Sequence, residues 1–122
     1  VRWRLSGLIV SNTTVERPEA LKSPHAKEAG GLSGPPLFER STALLKRVRM
    51  ATGPEMAIIG VGGVACADTA YAKIRAGADA VQLYTALVYE GPGLVARIRD
   101  GLAERVKADG YASVREAVGA DL

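Results

Sequence analysis

Three short apolar runs, each leading through a polar or glycine-bearing turn into a helical stretch, constrain this chain more than anything else in it. The runs are Gly7-Leu8-Ile9-Val10-Ser11, Ala57-Ile58-Ile59-Gly60-Val61 and Ala80-Val81-Gln82-Leu83-Tyr84. Short, mainly apolar segments of this kind read as strands buried on both faces. The segments between them have helical spacing. Leu37 to Thr52 sets Leu44, Leu45 and Val48 on one side and ends at Gly53-Pro54. Asp68 to Ala76 reads as a shorter helix, with Asp68 as cap, Ala70 and Ile74 on one face and Gly77 as its stop. A last long helix runs from about Leu94 to Asp109, its Leu94, Ile98, Leu102 and Val106 four apart, with Gly110 beyond. Ser113-Val114-Arg115-Glu116 has the capping-box pattern and opens a short terminal helix.

Strands that alternate with helices are joined by crossovers and therefore run parallel. The fold class is α/β. Three strands are too few to close a barrel, and an eight-stranded barrel takes about 250 residues. A chain of 122 residues is therefore expected to be part of such a fold.

Composition narrows the function classes. No apolar run approaches the roughly 18 residues of a membrane helix, and no signal-peptide pattern is visible. The single cysteine, Cys66, cannot form an internal disulfide. The net charge of +3 and pI near 9.2 come from dispersed residues: Arg97, Arg99 and Arg105 alternate with Asp100 and Glu104, as on a solvated helix face. Without a basic stripe or interleaved aromatics, nucleic acid is not an expected partner. There is no metal-ligand spacing and no nucleophile triad. His25, Lys27 and Glu28 read as solvent-facing loop residues, Trp3 as packing, and Cys66 as a residue of a helix start rather than a nucleophile.

Three stretches carry chemistry, and all lie at the carboxyl ends of the expected strands or in the loop that follows, where parallel α/β folds build their sites. The first is Ser11-Asn12-Thr13-Thr14. A carboxamide offers both donor and acceptor, so Asn12 can pair with the alternating N–H and C=O edge of a pyrimidine. The same residues also make an Asx-turn leaving a strand, and the stretch alone favours that local reading. The second is Gly30-Gly31-Leu32-Ser33-Gly34-Pro35-Pro36, in the long polar loop from Asn12 to Pro36. Its glycines let backbone N–H groups approach an anion, although Gly-Pro clusters also make ordinary turns. The third is Gly60-Val61-Gly62-Gly63 after the second strand, partnered by Tyr84-Thr85 after the third. Gly60, Gly62 and Ala65 superficially match the dinucleotide fingerprint, but that motif wants an acid at the end of the next strand. Asp79 precedes that strand and Tyr84 ends it. A barrel-type phosphate site, made of backbone N–H groups after successive strands, fits better.

Taken in order, Gly7–Thr14, Gly30–Gly34, Ile58–Gly63, Tyr71–Ala78, Val81–Leu87 and Gly91-Pro92 resemble the C-terminal third of class 2, quinone-linked dihydroorotate dehydrogenases. The likeness covers residues 7 to 120 with compatible spacing. It implies a partial FMN-binding (β/α)8 TIM barrel, its last three β/α units, with residues 1–122 forming an incomplete domain. In that family the positions of Asn12 and Thr13 contact the orotate or dihydroorotate ring and that of Ser11 touches FMN. Gly34, Gly62, Gly63, Tyr84 and Thr85 match cofactor-holding positions, Gly63, Tyr84 and Thr85 close to its phosphate. The implied reaction oxidises dihydroorotate to orotate, with hydride passing to the flavin and a quinone reoxidising it.

The resemblance also says what to expect elsewhere. The family's catalytic serine, a flavin-side lysine and the membrane-docking helices all match upstream sequence, so no catalytic residue is assigned here. Cys66 is not at the position of the cysteine base of class 1 enzymes. Membrane contact, on the cytoplasmic side of the inner membrane, is expected only through upstream segments. Residues 1–6 depart from the family's usual approach to this strand. Three readings follow: the C-terminal segment of a longer quinone-linked dihydroorotate dehydrogenase, a non-catalytic truncated remnant of one, or another FMN- or phosphate-binding barrel oxidoreductase.

Overall fold

In the computed structural model, which describes residues 4–122, the three apolar runs pair into one parallel sheet. Its strands β1 (Gly7–Val10), β2 (Ala57–Val61) and β3 (Ala80–Gln82) lie in the order β1-β2-β3, with Leu8 opposite Ile58 and Gly60 opposite Val81. The crossover from β1 to β2 is the long loop, a 3-10 turn at Pro35–Leu37 and helix α1 (Phe38–Thr52); that from β2 to β3 is α2 (Ala67–Arg75). After β3 come α3 (Thr85–Glu90), α4 (Gly93–Ala108) and a 3-10 turn at Val114–Ala117.

Strand periodicity sorts side chains between the two faces. Leu8, Val10, Ile58 and Val81 pack on one side with Leu45 of α1, Tyr71 and Ile74 of α2 and Val106 of α4. Burying each large aliphatic side chain contributes about 1.5–3 kcal/mol. A second cluster, Val64, Ala70, Leu94 and Ile98, seats α4 on α2. Gly60 lets both crossover helices close on the sheet: a Cβ there would stand 3.2 Å from Leu45 Cδ2 of α1 and 3.3 Å from Lys73 Cβ of α2.

A buried arginine ties the lower end together. Arg49 Nε donates to the Gly77 carbonyl at 2.8 Å, its Nη1 to Gly53 and Met56 carbonyls, and its Nη2 to Asp79 Oδ2 at 2.6 Å. Asp79 in turn accepts the Ile58 N–H at 2.7 Å. One guanidinium thus satisfies the backbone where α1 ends, β2 begins and α2 turns into β3. This is the role of the acid that failed the dinucleotide test.

Several sequence expectations need correction. The strands are not buried on both faces: Ile9 is 62% exposed. All the helices that cover the sheet sit on the Leu8–Ile58 side, so the face bearing Ile9, Ile59 and Val61 has no second layer among the described residues. The third strand stops at Gln82, and Leu83-Tyr84 instead turns the chain into α3, a helix of six residues, too short to show a helical period, whose Ala86 and Leu87 pack only partly buried against the second cluster. Leu44 is exposed, and the buried face of α1 is Ser41, Leu45 and Arg49. Cys66, not Asp68, is the N-cap of α2. Ser113 makes no side-chain cap, whereas the Glu116 carboxylate accepts from the Ala112 N–H. His25 is exposed as expected and pairs with Glu28. Trp3 lies outside the described residues.

Candidate functional site

Parallel strands all end on the same edge of a sheet, so the turns after β1, β2 and β3 meet there. A cavity of about 830 Å3 opens at that edge, within the range of a cofactor-sized pocket. It is lined by Ser11, Asn12, Thr13, Gly34, Gly62, Gly63, Tyr84 and Thr85, so all eight residues singled out in the sequence come together. Ser33, whose hydroxyl the glycine stretch offers as a donor, lines it too, as do Val64, Ala65, Tyr89 and Glu90, which the sequence does not mark as contacts. Tyr89 and Glu90 belong to α3, a helix too short for its period to stand out in the sequence.

Each stretch is held by a recognisable local device. The long loop folds back on β1 through an antiparallel bridge between Thr14 and Leu32, with reciprocal backbone hydrogen bonds of 3.2 and 2.7 Å. The Arg17 guanidinium stands inside the loop and donates to the carbonyls of Val15, Ala26, Glu28 and Gly30. A polar stretch without a core is thereby ordered around one cation. The bridge lays Gly31 against Thr13 so closely that a Cβ on Gly31 would lie 1.8 Å from Thr13 Oγ1. Farther along, the Thr85 hydroxyl donates to Ser33 Oγ at 2.9 Å, which joins the loop to the end of β3.

Both readings of Asn12 find an observation. Its Oδ1 accepts the Thr13 N–H at 2.7 Å, which is the local, turn-making use. Its Nδ2 donates to no group among the described residues, and the side chain lines the cavity. Tyr84 is 79% exposed and N-caps α3 without a side-chain hydrogen bond, so its ring is held by little within this chain.

The turn after β2 is pressed against the start of α1. Gly62 and Gly63 have φ of 104° and 73°, and added Cβ atoms would meet Ser41 Oγ at 2.7 Å and Phe38 Cβ at 2.5 Å. Both conformation and proximity therefore demand glycine. No backbone carbonyl among the described residues accepts from the N–H groups of Gly63 or Val64. With the Ser33 hydroxyl, which accepts from Thr85 and keeps its own proton, these amides give the cavity wall neutral donors, the chemistry that suits a bound phosphate. Cys66 sits just past this turn. Its thiol is drawn up by partial burial, but hydrogen bonds from the Thr69 amide and hydroxyl and the Asp68 amide together outweigh this, and it ends below its ordinary range. Among the described residues no group of three or more His, Cys, Asp or Glu side chains could hold a metal ion.

The family model for dihydroorotate dehydrogenase matches residues 1–106. The chain is 58% identical over 118 residues to the dihydroorotate dehydrogenase (quinone) of Parvibaculum lavamentivorans, covering 97% of this chain and 34% of that protein. It is 61% identical over 112 residues to the protein of the same name from Sinorhizobium fredii, covering 92% of this chain and 31% of that one. Among solved structures, Eimeria tenella DHODH in complex with ferulenol superposes with a TM-score of 0.92 at 44% identity, covering 96% of this chain and 31% of that chain. The chain thus spans about a third of the length of these relatives. Its parallel α/β arrangement fits part of a TIM barrel.

Proposed function

The chain belongs to the dihydroorotate dehydrogenase family, and from that premise we propose that it forms the last three β/α units of an FMN-binding barrel and holds the phosphate end of the cofactor. The longer enzyme would oxidise dihydroorotate to orotate in pyrimidine biosynthesis with a quinone as acceptor. Residues 1–122 would then be an incomplete domain. The observation that carries this reading is the convergence of eight family-matched residues from four separate stretches on one cavity.

The residues present fit FMN. Gly63 and Val64 offer free amide donors, and Gly34 and Thr85 stand side by side, a Cβ on Gly34 meeting Thr85 Cγ2 at 3.3 Å. We assign Gly62, Gly63, Tyr84 and Thr85 to the phosphate end, Gly34 and Ser11 to the flavin, and Asn12 and Thr13 to the pyrimidine. When bound, FMN supplies the two-electron chemistry. This chain's own residues bind and orient. The Asn12 Nδ2 donates to a ring carbonyl, Thr13 presents its hydroxyl beside it, and Gly31 leaves the room in which Thr13 stands. A base for the ring proton would come from outside these residues. Membrane association, on the cytoplasmic side of the inner membrane, would belong to other parts of the enzyme; no helix among the described residues is long and apolar enough to cross a membrane.

A second reading, a non-catalytic remnant of such an enzyme, is favoured by the uncovered sheet face around Ile9. A third, another FMN or phosphate-binding barrel, has Asn12 and Thr13 against it. The test is anaerobic. A chain of the relatives' full length carrying this segment should bind FMN, lose flavin absorbance on adding dihydroorotate and regain it with a quinone. Asn12→Ala should weaken orotate binding about ten-fold or more while sparing FMN. A protein that binds no flavin, or whose flavin dihydroorotate leaves oxidised, would overturn the assignment. Equal loss of orotate and FMN in the Asn12 variant would make that residue structural.

A further inference from the structure

Lys73 is the largest side chain among the described residues that is completely buried. It lies on α2, and its Nζ donates to Ser41 Oγ at 2.6 Å and stands 5.3 Å from the centroid of the Phe38 ring. No ion pair among the described residues includes it, and Glu39 is the opposing charge that acts on it. Burial lowers its pKa to about 8, which leaves the ammonium charged at neutral pH. An ammonium has three N–H groups to satisfy, and a buried charge is strongly unfavourable unless a counter-charge or a set of dipoles compensates it.

The hydroxyl between them links this charge to the turn after β2. Ser41 is 1% exposed and accepts from Lys73, so its own proton is shared between the carbonyls of Gly62 (3.1 Å) and Phe38 (3.0 Å). Across a trans peptide a carbonyl and the following N–H point in opposite directions. Holding the Gly62 carbonyl inward against Ser41 therefore turns the Gly63 N–H away from α1, on the side where both glycines line the cavity. Lys73 itself does not line the cavity. Its charge sits behind the turn, two hydrogen bonds from the Gly62 carbonyl.

We propose that Lys73 and Ser41 are positioning residues for the cofactor phosphate, Ser41 by fixing the Gly63 donor and Lys73 by supplying from beneath the positive charge that the phosphate neutralises. The proposal rests on the flavin reading given above. A phosphate monoester carries about −1.5 to −2 charges at neutral pH, and a counter-charge some ångströms away through protein acts far more strongly than through water. The turn and its glycines supply geometry; Lys73 supplies the charge that neutral donors lack.

The test separates the phosphate from the rest of the flavin. Apoprotein of a full-length chain carrying this segment is titrated with FMN and with riboflavin, which lacks the phosphate, and binding is read from flavin fluorescence. Lys73→Gln, which keeps an N–H for Ser41 but no charge, should lose FMN affinity by about ten-fold or more and riboflavin affinity by less than about two-fold. Ser41→Ala, the smaller disturbance of the core, should lose several-fold of FMN affinity with riboflavin again spared. A Lys73→Gln protein that keeps the full preference for FMN would overturn the role of the charge. Parallel loss of both ligands in both variants would make the pair a packing feature and overturn the proposal. A wild-type protein that binds neither flavin, or both equally, would instead sink the flavin reading itself.

Discussion

At the scale of single residues, the site depends on close approaches that leave no room for a Cβ. Gly31 is the sharpest case, because Thr13 Oγ1 already occupies the place of its Cβ. Gly31→Ala is expected to displace Thr13 and raise KM for dihydroorotate about ten-fold or more, with FMN content unchanged; steady-state kinetics beside flavin absorbance check it. Lys73 gives a prediction in pH. Its folded pKa, about 8, lies below the unfolded value of 10.5. Between these values the unfolded chain holds more protons, so stability rises with pH through that window. Below about 8 both states are charged and the burial penalty is constant. The stability of wild type relative to Lys73→Met should therefore improve by up to about 3 kcal/mol from pH 8 to 10.5, as read from urea midpoints at each pH. A pH-independent difference would show that the ammonium is solvated. Residue chemistry was partly legible: glycines after a strand announce a tight approach, and Asn12-Thr13 announces a polar cluster. The buried charges were not. Nothing in a hydropathy pattern marks Arg49 or Lys73 as interior, since their partners are backbone carbonyls, the Asp79 carboxylate and a hydroxyl brought close only by the fold.

Elements follow the sequence where an apolar stripe meets a stop signal. α1, α2 and α4 end close to Gly53, Gly77 and Gly110, and their buried faces include Leu45, Ile74 and Ile98. α3 is not legible because its six residues make less than two turns, too few to set a helical period, although Ala86 and Leu87 pack on the second cluster. Val81-Gln82-Leu83-Tyr84 was taken as strand to its end because its side chains suit a strand, yet only Ala80–Gln82 finds a partner in β2. The cap of α2 was missed for a different reason: a thiol is a weak acceptor, but the Thr69 hydroxyl answers it by accepting the Cys66 N–H at 3.1 Å. Thr69→Val should remove that acceptor and destabilise the protein by about 1 kcal/mol, measured by thermal or urea unfolding. Arg49 joins three elements, so Arg49→Met should cost about 3 kcal/mol or more. An unfolding midpoint unchanged from wild type would mean that water replaces its hydrogen bonds.

The whole molecule is a sheet covered on one side. The expectation of strands buried on both faces rests on the apolar character of Ile9, Ile59 and Val61, and that character remains although their face has no layer among the described residues. The sequence pattern thus describes a closed, two-sided environment, and three parallel strands cannot provide it alone. A second apolar groove, about 670 Å3 and lined by Val81, Leu83, Val95, Leu102 and Tyr111, flanks the free edge of β3. By itself, the 122-residue chain is expected to self-associate and to bind an apolar dye, as sedimentation and fluorescence would show. A dye-free monomer would contradict that. The central claim, that this segment seats the phosphate of FMN, is tested most directly by a crystal structure of the FMN-loaded, full-length protein. The phosphate oxygens should lie about 3 Å from the amide nitrogens of Gly63 and Thr85, with Lys73 still on Ser41 behind them. A phosphate bound away from the turns after β2 and β3 would contradict it.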